Sequence, residues 1–203
     1  MQIISLNYRY KGDRNYVHGT DVYTTVAQCL SEHYDLSLLR RLRFKFRKLI
    51  TRQCDLCFGQ LDEHIAVPST AVVDIYAKLE DKFLYAYLIE HTKAVLERYP
   101  YDEERIKDLC TVAAESISIS AHSGYSPIEV IVAMNKILHN ILIRLKTGKW
   151  LFSQLDLLRM LTLNDATGIQ IKMIHNFNNS LTKSVIFSDG ELIGHIYFSV
   201  GSA

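Results

Sequence analysis

The chain has 203 residues, of which 48% are hydrophobic and 22% charged, and 23 Lys and Arg against 22 Asp and Glu leave a formal charge of +1. This balance excludes an intrinsically disordered chain, which needs low hydrophobicity and a high net charge. With only 9 Gly and 3 Pro, collagen-like and low-complexity chains are excluded too. Because the net charge is small, gross electrostatics predict no nucleic-acid binding.

No stretch of the sequence indicates a membrane or secretory address. No apolar run reaches the roughly 18 residues that a membrane-spanning helix needs. Residues 1–10 alternate like a strand and lack the cationic start and apolar block of a signal peptide. We therefore expect a cytoplasmic protein with no membrane partner.

The four cysteines, Cys29, Cys54, Cys57 and Cys110, predict neither a disulfide framework nor a metal site. Cys54 and Cys57 form a lone CxxC pair, whereas a structural zinc site needs about four ligands. The pair also lies in a strand-like stretch, not at a helix start where a redox thiol is expected. Since the eight His residues show no metal-binding spacing, we expect ordinary core and surface cysteines and no metal.

The first 92 residues predict the order strand, helix, four strands. Residues 2–10 alternate between apolar and polar side chains, as a half-buried strand does. Thr20 or Asp21 is placed to cap a helix whose apolar positions include Val22 and Leu30. Four further strands are predicted at 42–50, 54–58, 70–79 and 83–90.

The second half predicts the same order after a separate helical stretch at 93–113. Residues 115–121 alternate like a strand. Ser126 and Pro127 then predict the cap and first residue of a long apolar helix that runs to about Leu145. Four strands follow, with a tight hairpin turn between the last two, at 150–161, 169–177, 182–187 and 192–200.

This repeated order predicts two similar halves, 1–92 and 93–203, packed as one globular unit. Residue identity between the halves is slight, so the repeat lies in the pattern. An αβ-plait or a single open sheet would produce some of the same alternation. The second-half helix is apolar nearly all round, which is typical of a fully enclosed helix, whereas the first-half helix is shorter and more polar.

A strand, one enclosed helix and a run of antiparallel strands resemble the hotdog fold of acyl-thioester thioesterases and dehydratases. The resemblance implies an α+β fold of two tandem copies, a double hotdog, in which antiparallel sheet wraps around central helices. Residues 120–135 also resemble the helix start of the mycobacterial long-chain fatty acyl-CoA thioesterase family. The shared features are Tyr125 just before the helix, Glu129 in its first turn and Asn135 six residues later. Ser118 stands where that family has a tyrosine.

Glu129 is the leading catalytic candidate. Backbone N–H groups at a helix N-terminus polarise a thioester carbonyl, and a nearby carboxylate acts as general base on water. The resemblance to hotdog enzymes implies such an acidic residue on this helix, with Gly124 and Tyr125 beside the substrate. The alternative is a carboxylate that only stabilises the first helical turn, a contribution of about 0.3–1 kcal/mol.

His122 and His18 hold comparable places, each shortly before the helix of its half. Histidine titrates near neutrality and is suited to move a proton in hydrolysis or dehydration. If the halves pair like a hotdog dimer, His18 and Asp21 face the Glu129 end, which resembles the dehydratase arrangement. The alternative is that these are loop residues that cap helices.

Asn135 is a further catalytic candidate, since the resemblance implies that an Asn on this helix carries chemistry. An unpaired buried amide costs about 1–3 kcal/mol. We therefore expect its side chain either to bond nearby backbone or to face a polar cavity.

Seven basic residues with no acid among them lie between residues 40 and 52. On a strand, Arg41, Arg43, Lys45 and Arg47 project from one face and form a positive stripe. We assign Arg43, Lys45 and Arg47 to binding an acidic acyl carrier protein or the phosphates of coenzyme A. RNA is less favoured, because no recognised RNA-binding motif accompanies the stripe. A solvated strand face that protects an edge from aggregation is the alternative.

Together these features predict action on acyl thioesters of acyl carrier protein or coenzyme A, as a thioesterase or a 3-hydroxyacyl dehydratase in fatty-acid or secondary-metabolite biosynthesis. We expect no cofactor beyond the phosphopantetheine or coenzyme A of the substrate, and no nucleic-acid partner. The alternative is a non-catalytic hotdog-like module that binds an acyl chain or a protein. The sequence leaves open hydrolysis or dehydration, the acyl chain, the half that carries the site and assembly into a homo-oligomer.

Overall fold

A computed structural model describes residues 1–201, which form two compact units, Met1–Tyr101 and the residues from Asp102 onward. The sequence placed the division after residue 92. The division falls later because a short strand close to Tyr101 returns to pair with a strand near the start of the first unit.

The first unit contains an antiparallel sheet and a long helix. Its elements are β1 (Gln2–Leu6), β2 (Tyr10–Lys11), α1 (Gly19–Ser31), a 3₁₀ turn (Leu36–Leu38), β3 (Leu39–Phe46), β4 (Arg52–Phe58), β5 (Val73–Leu79), β6 (Lys82–Ala94) and β7 (Arg98–Tyr99). The antiparallel strands pair in the order β1-β4-β6-β5-β3. β2 and β7 form a separate parallel pair, so the strand predicted at 2–10 is divided in two.

Helix α1 begins earlier than the sequence predicted. His18 is the extended residue before the helix, and Thr20 and Asp21 lie inside the first turn. Thr20 is no cap, because its hydroxyl bonds other side chains. The Tyr23 ring lies 5.4 Å from the Phe44 ring of β3, so α1 packs on the face of the sheet that carries Phe44.

A long connection crosses the other face of this sheet. β4 and β5 follow one another in the chain, but β6 lies between them, so the connection at 59–72 passes over β6. Ile65 and Ala71 of the connection pack against Cys57 of β4 and Tyr87 of β6. The strand register places Cys57 and Tyr87 on the face opposite to α1.

The second unit has the elements α2 (Glu104–Lys107), β8 (Cys110–Ala113), β9 (Ser116–Ile119), α3 (Pro127–Leu142), β10 (Lys149–Leu157), a 3₁₀ turn (Leu163–Ala166), β11 (Ile169–Phe177), β12 (Leu181–Ser188) and β13 (Glu191–Gly201). Its strands pair in the order β8-β9-β11-β12-β13-β10. The turn predicted between the last two strands is confirmed. Asp189 and Gly190 both have positive φ, 49° and 84°, as a two-residue hairpin turn requires.

The helical stretch predicted at 93–113 is wrong. β6 continues to Ala94, and only the single turn of α2 is helical. Pro100 interrupts the amphipathic pattern, because proline removes a helical hydrogen bond and clashes with the preceding turn. The residues after α2 pair as β8 with β9.

Helix α3 is enclosed over most of its length. From Pro127 to His139 its side chains are buried, apart from partly exposed Glu129, Lys136 and Ile137. The last turn is not enclosed as predicted, since the Ile141 side chain is 58% exposed.

The predicted order of strand, helix and four strands is present in both units, but the sheets differ. Numbered from the helix, the four strands of the second unit pair in the order second, third, fourth, first, which is β11-β12-β13-β10. The four strands of the first unit pair in the order second, fourth, third, first, which is β4-β6-β5-β3. The third and fourth strands, β5 and β6, have therefore exchanged places in the first unit. The sequence repeat predicted the element order but not this exchange.

Candidate functional site

Ser126 and Glu129 fix the start of α3. The Glu129 carboxylate accepts a hydrogen bond from the Ser126 N–H at 2.9 Å and another from the Ser126 hydroxyl at 2.6 Å. Together with Pro127 in the first turn, this is a capping box. The predicted general base is therefore held by the residue that begins the helix.

The loop before α3 brings His122, Gly124 and Tyr125 together. His122 is exposed, and its Nδ1 accepts a hydrogen bond from the Gly124 N–H at 3.0 Å. Gly124 has a φ of 85°, and a Cβ there would lie 3.3 Å from the Arg105 guanidinium. A glycine is needed here because the left-handed backbone and the nearby arginine both disfavour a side chain. Arg105 adds a cation to the helix start that the sequence did not identify.

Asn135 has no hydrogen-bond partner for its side chain. The residue is fully buried on α3, and neither amide atom has a partner among residues 1–201. Ser184 on β12 is also fully buried, and within the same described chain its hydroxyl is unpartnered. Most buried polar groups in native proteins are paired. Buried polar groups without a partner are therefore typical of sites where strain, catalysis or a bound polar group has a role.

His139 lies one helical turn after Asn135 and is also fully buried. Its Nδ1 lies 2.5 Å from the backbone carbonyl oxygen of Asn135, and its Nε2 lies next to the Thr182 hydroxyl. A carbonyl only accepts, so Nδ1 carries the proton and Nε2 accepts from Thr182. Burial lowers the pKa of His139 to about 4, and the hydrogen bond to the Asn135 carbonyl opposes only part of this change. His139 is therefore neutral at neutral pH.

These four residues form what we call the interior polar cluster, namely Asn135, His139, Thr182 and Ser184. Asn135 and His139 share one face of α3 because they are four residues apart. Thr182 and Ser184 share one face of β12 because they are two apart. The bond from His139 to Thr182 joins the two rows. Only Asn135 of the four was identified from the sequence, since His139 and Thr182 are distant along the chain.

A second cluster of polar residues lies at the start of α1 in the first unit. Lys11 is fully buried, and its Nζ donates to the Thr20 hydroxyl at 3.0 Å and to Asp21 Oδ1 at 2.9 Å. Asp21 Oδ2 also accepts from the Tyr99 hydroxyl at 2.8 Å. His18 Nδ1 lies 2.7 Å from the Thr20 hydroxyl. The structure thus brings His18 and Asp21 together around a buried lysine.

Lys11 was not identified from the sequence. Its ammonium group also lies 4.5 Å from the centre of the Tyr101 ring, a cation–π contact. Buried lysines are rare unless they are paired, so the ion pair with Asp21 gives this carboxylate a structural role besides any catalytic one.

The positive stripe is only partly as predicted. Arg41, Arg43 and Lys45 share one face of β3, since each alternates with an inward apolar residue. Arg47 lies beyond the strand, and its Nε is 2.8 Å from Asp74 Oδ1. Arg47 is therefore neutralised and does not add free positive charge to the stripe.

Cys54 and Cys57 are both buried on β4. Burial raises the pKa of the Cys54 thiol to about 12, which makes it a poor nucleophile. This agrees with an ordinary core cysteine.

No protein-family model matches the chain, and no curated protein matches it. Solved structures do match. The tesB protein of Mycobacterium avium subsp. paratuberculosis is similar at a TM-score of 0.51 and 10% identity, over 96% of this chain and 91% of that one. A monomeric dehydratase domain from a trans-AT polyketide synthase split module is similar at a TM-score of 0.51 and 8% identity, over 99% of this chain and 100% of that one. The chain has a hotdog fold.

The α+β hotdog fold predicted from the sequence is thus confirmed. At such low identities the similarity concerns the fold alone, so catalytic residues must be argued from this chain. None of the helices within residues 1–201 has the length and apolar character needed to cross a membrane.

Proposed function

We propose that this chain binds and acts on acyl thioesters carried by acyl carrier protein or coenzyme A. The observation that carries the proposal is Asn135, a fully buried amide without a partner among the described residues, on the enclosed helix of a hotdog fold. An amide N–H is a suitable donor to a thioester carbonyl, and this hydrogen bond is stronger in a dry site than in water. Hydrolysis and dehydration are both compatible with this arrangement.

We also propose that the two units are tandem hotdogs and that the second carries the acyl site. Support comes from the shared order of strand, helix and four strands. The helix of the second unit is the longer and more apolar one, which suits an acyl chain. The first unit has the exchanged strand pair and, in this proposal, has diverged.

In this assignment the acyl tail lies along α3 and the thioester lies beside Asn135, while Tyr125 and Gly124 line the entrance at the start of the helix. Asn135 donates to the carbonyl oxygen, and Glu129 is the candidate base for water or for a substrate proton. His122 is the candidate proton carrier, because it is exposed in the loop before the helix.

His18 and Asp21 are further candidates for proton transfer. Their hydrogen bonds run through Thr20, whose hydroxyl lies 2.7 Å from His18 Nδ1 and 3.3 Å from Asp21 Oδ1. The variants His18→Gln and Asp21→Asn test this role, since each keeps the side-chain size and removes the proton-transfer group. A loss of turnover in His18→Gln at unchanged stability supports this role. Asp21→Asn also removes the charge partner of buried Lys11, so its turnover is measured under conditions in which thermal unfolding shows the variant to be folded.

The second candidate function is a non-catalytic module that binds an acyl chain. The capping box favours it, because both donors of Ser126 engage the Glu129 carboxylate that would serve as base. In this version Asn135 still bonds the carbonyl of a bound acyl group, but no bond is broken.

The experiment compares the wild type with Asn135→Leu on a panel of acyl-CoA and acyl-carrier substrates. Released thiol reports hydrolysis, product mass reports dehydration, and native mass spectrometry reports a bound acyl species. We expect Asn135→Leu to lose turnover by about a hundredfold or more, as removal of an oxyanion donor does. Exposed Asn140 on the same helix gives the matched control Asn140→Leu, which should keep full activity.

Three outcomes are distinguished. Turnover that depends on Asn135 supports the enzyme. A bound acyl species that depends on Asn135, without turnover of any substrate, supports the binding module. If no thioester is bound or turned over, or if Asn135→Leu and Asn140→Leu behave alike, the proposal is wrong.

A further inference from the structure

We infer that the outer face of the first unit's sheet binds single-stranded nucleic acid. The surface, which we call the cation–aromatic face, consists of Arg41, Arg43, Lys45, Tyr76, Lys78, Phe83 and Tyr85. This inference does not rest on the thioester proposal, because it needs no acyl site and concerns another ligand. The sequence alone did not favour it, since no recognised RNA-binding motif accompanies the stripe of cations.

The register of three strands brings these residues to one face. Across β3 and β5, Arg43 pairs with Tyr76 and Arg41 pairs with Lys78. Across β5 and β6, Tyr76 pairs with Tyr85, and Lys78 pairs with Phe83. Directly paired residues of antiparallel strands point to the same side of a sheet, so cations and rings form adjacent rows.

The aromatic side chains form a connected and partly exposed surface. The Tyr76 and Phe83 rings are stacked with centroids 5.9 Å apart, and Tyr76 meets Tyr85 edge-on at 5.5 Å. All three side chains are partly exposed, and Tyr85 also packs against the connection at 59–72, so Tyr76 and Phe83 are the rings farther from that connection. Rings held in place on a sheet are platforms on which unpaired bases stack, and this stacking tolerates any base.

The charges on this face call for an anionic partner. Arg41 and Lys78 are paired directly across the strands, although like charges in that position destabilise a sheet. Asp74, which pairs with Lys45 in the register, forms an ion pair with Arg47. Lys78 has a 3.9 Å contact with the fully exposed Asp81, and its ammonium group lies 5.8 Å from the centre of the Phe83 ring. Arg41 and Lys78 therefore give this face positive charge.

Single-stranded nucleic acid fits this surface better than the other anionic partners. An acidic protein would match the cations but would leave the three rings without a specific role. Coenzyme A has one base and so engages one ring at a time. A duplex hides its base faces within its own stack, whereas a single strand offers successive bases together with successive phosphates.

The test is a fluorescence-anisotropy titration of a labelled, unstructured single-stranded RNA of about 20 nucleotides, which is long enough to span the face. The double variant Arg41→Ala/Lys78→Ala should weaken binding by about tenfold or more, and it should reduce the slope of log K against log salt by about 1.4. The double variant Tyr76→Leu/Phe83→Leu keeps apolar side chains and should weaken binding by about tenfold with little change in the salt slope.

The matched control is Lys146→Ala/Lys172→Ala, which removes two exposed cations of the second unit. We expect it to bind within about twofold of the wild type, since it leaves the cation–aromatic face unchanged. Circular dichroism and thermal unfolding check that each variant is folded. Thioester turnover or acyl binding by the face variants, measured in parallel, should be unchanged.

Several results would overturn the inference. One is no binding of the wild type at low salt. Another is an equal loss in the Lys146/Lys172 control, which would indicate nonspecific electrostatics. Full competition by coenzyme A or by an acyl carrier protein at concentrations near their substrate range would assign the face to those ligands. Preference for duplex over single strand would also contradict it.

Discussion

The Glu129 carboxylate accepts two hydrogen bonds from Ser126, one from its backbone N–H and one from its hydroxyl. A capping box tolerates glutamine in place of glutamate, because the amide oxygen still accepts from the N-cap residue. The two residues therefore offer a way to separate a structural carboxylate from a catalytic one.

Glu129→Gln should retain the cap and lower the free energy of unfolding by less than about 0.5 kcal/mol, whereas Glu129→Ala should lower it by about 1 kcal/mol. Urea denaturation of both variants measures this. If Glu129 is the base, Glu129→Gln loses turnover at nearly full stability. Full turnover in Glu129→Gln would remove Glu129 from the mechanism and leave it as a cap.

Asn135→Leu should stabilise the protein by about 1 kcal/mol, because leucine has the same branching at Cγ and removes a buried amide without a partner. Chemical denaturation beside Asn140→Leu checks this, and the exposed control should change by less than about 0.5 kcal/mol. Gain of stability with loss of function is the pattern of a residue retained for function. A loss of stability of about 1 kcal/mol or more would instead assign Asn135 a structural role.

His139 should make the protein less stable in mild acid. Its pKa is lowered to about 4 in the folded state from 6.5. Between these values the unfolded chain binds a proton that the folded chain does not, so the free energy of unfolding falls as the pH falls through this window. The full difference is about 3 kcal/mol, reached near the folded-state pKa.

The variant His139→Gln should lose this pH dependence between about pH 7 and pH 4.5, although it is less stable than the wild type at neutral pH. Urea denaturation across this range measures the slope. Exposed His175 provides the matched variant His175→Gln, which should keep the wild-type slope. Equal slopes in the wild type and His139→Gln would contradict the lowered pKa.

Lys11→Met should destabilise the protein by about 3 kcal/mol, because it leaves the Asp21 carboxylate without its buried cation. Thermal and urea unfolding measure the loss. Lys82→Met replaces an exposed lysine at a hairpin and should cost less than about 0.5 kcal/mol. A similar loss in both variants would show that the buried ion pair contributes no more than a surface charge.

Local signals in the sequence predicted the parts of the structure that depend on near neighbours. Ser126, Pro127 and Glu129 lie within one turn, and together they predicted the start of α3. The hairpin turn at 188–190 was predicted from its own residues because positive φ angles favour Asp and Gly. The alternation in β3 likewise predicted which side chains point outward.

Features that depend on distant pairing were not predictable in this way. The exchange of β5 and β6 depends on which strands meet, and no single strand encodes that choice. The burial of Lys11 was not predicted, because Tyr99 and Tyr101, which lie against its ammonium group, are far along the chain. The rings beside the positive stripe were missed for the same reason, since Phe83 and Tyr85 belong to another strand.

The pairing of β2 with β7 joins segments from opposite ends of the first unit. A protease cut within the connection at 59–72 would therefore leave two fragments that still share the contacts of β4 with β6, β3 with β5 and β2 with β7. Such a nicked unit is held together without a covalent link between its fragments. The first unit is thus suited to fragment complementation, in which two separately expressed pieces reassemble only when they meet.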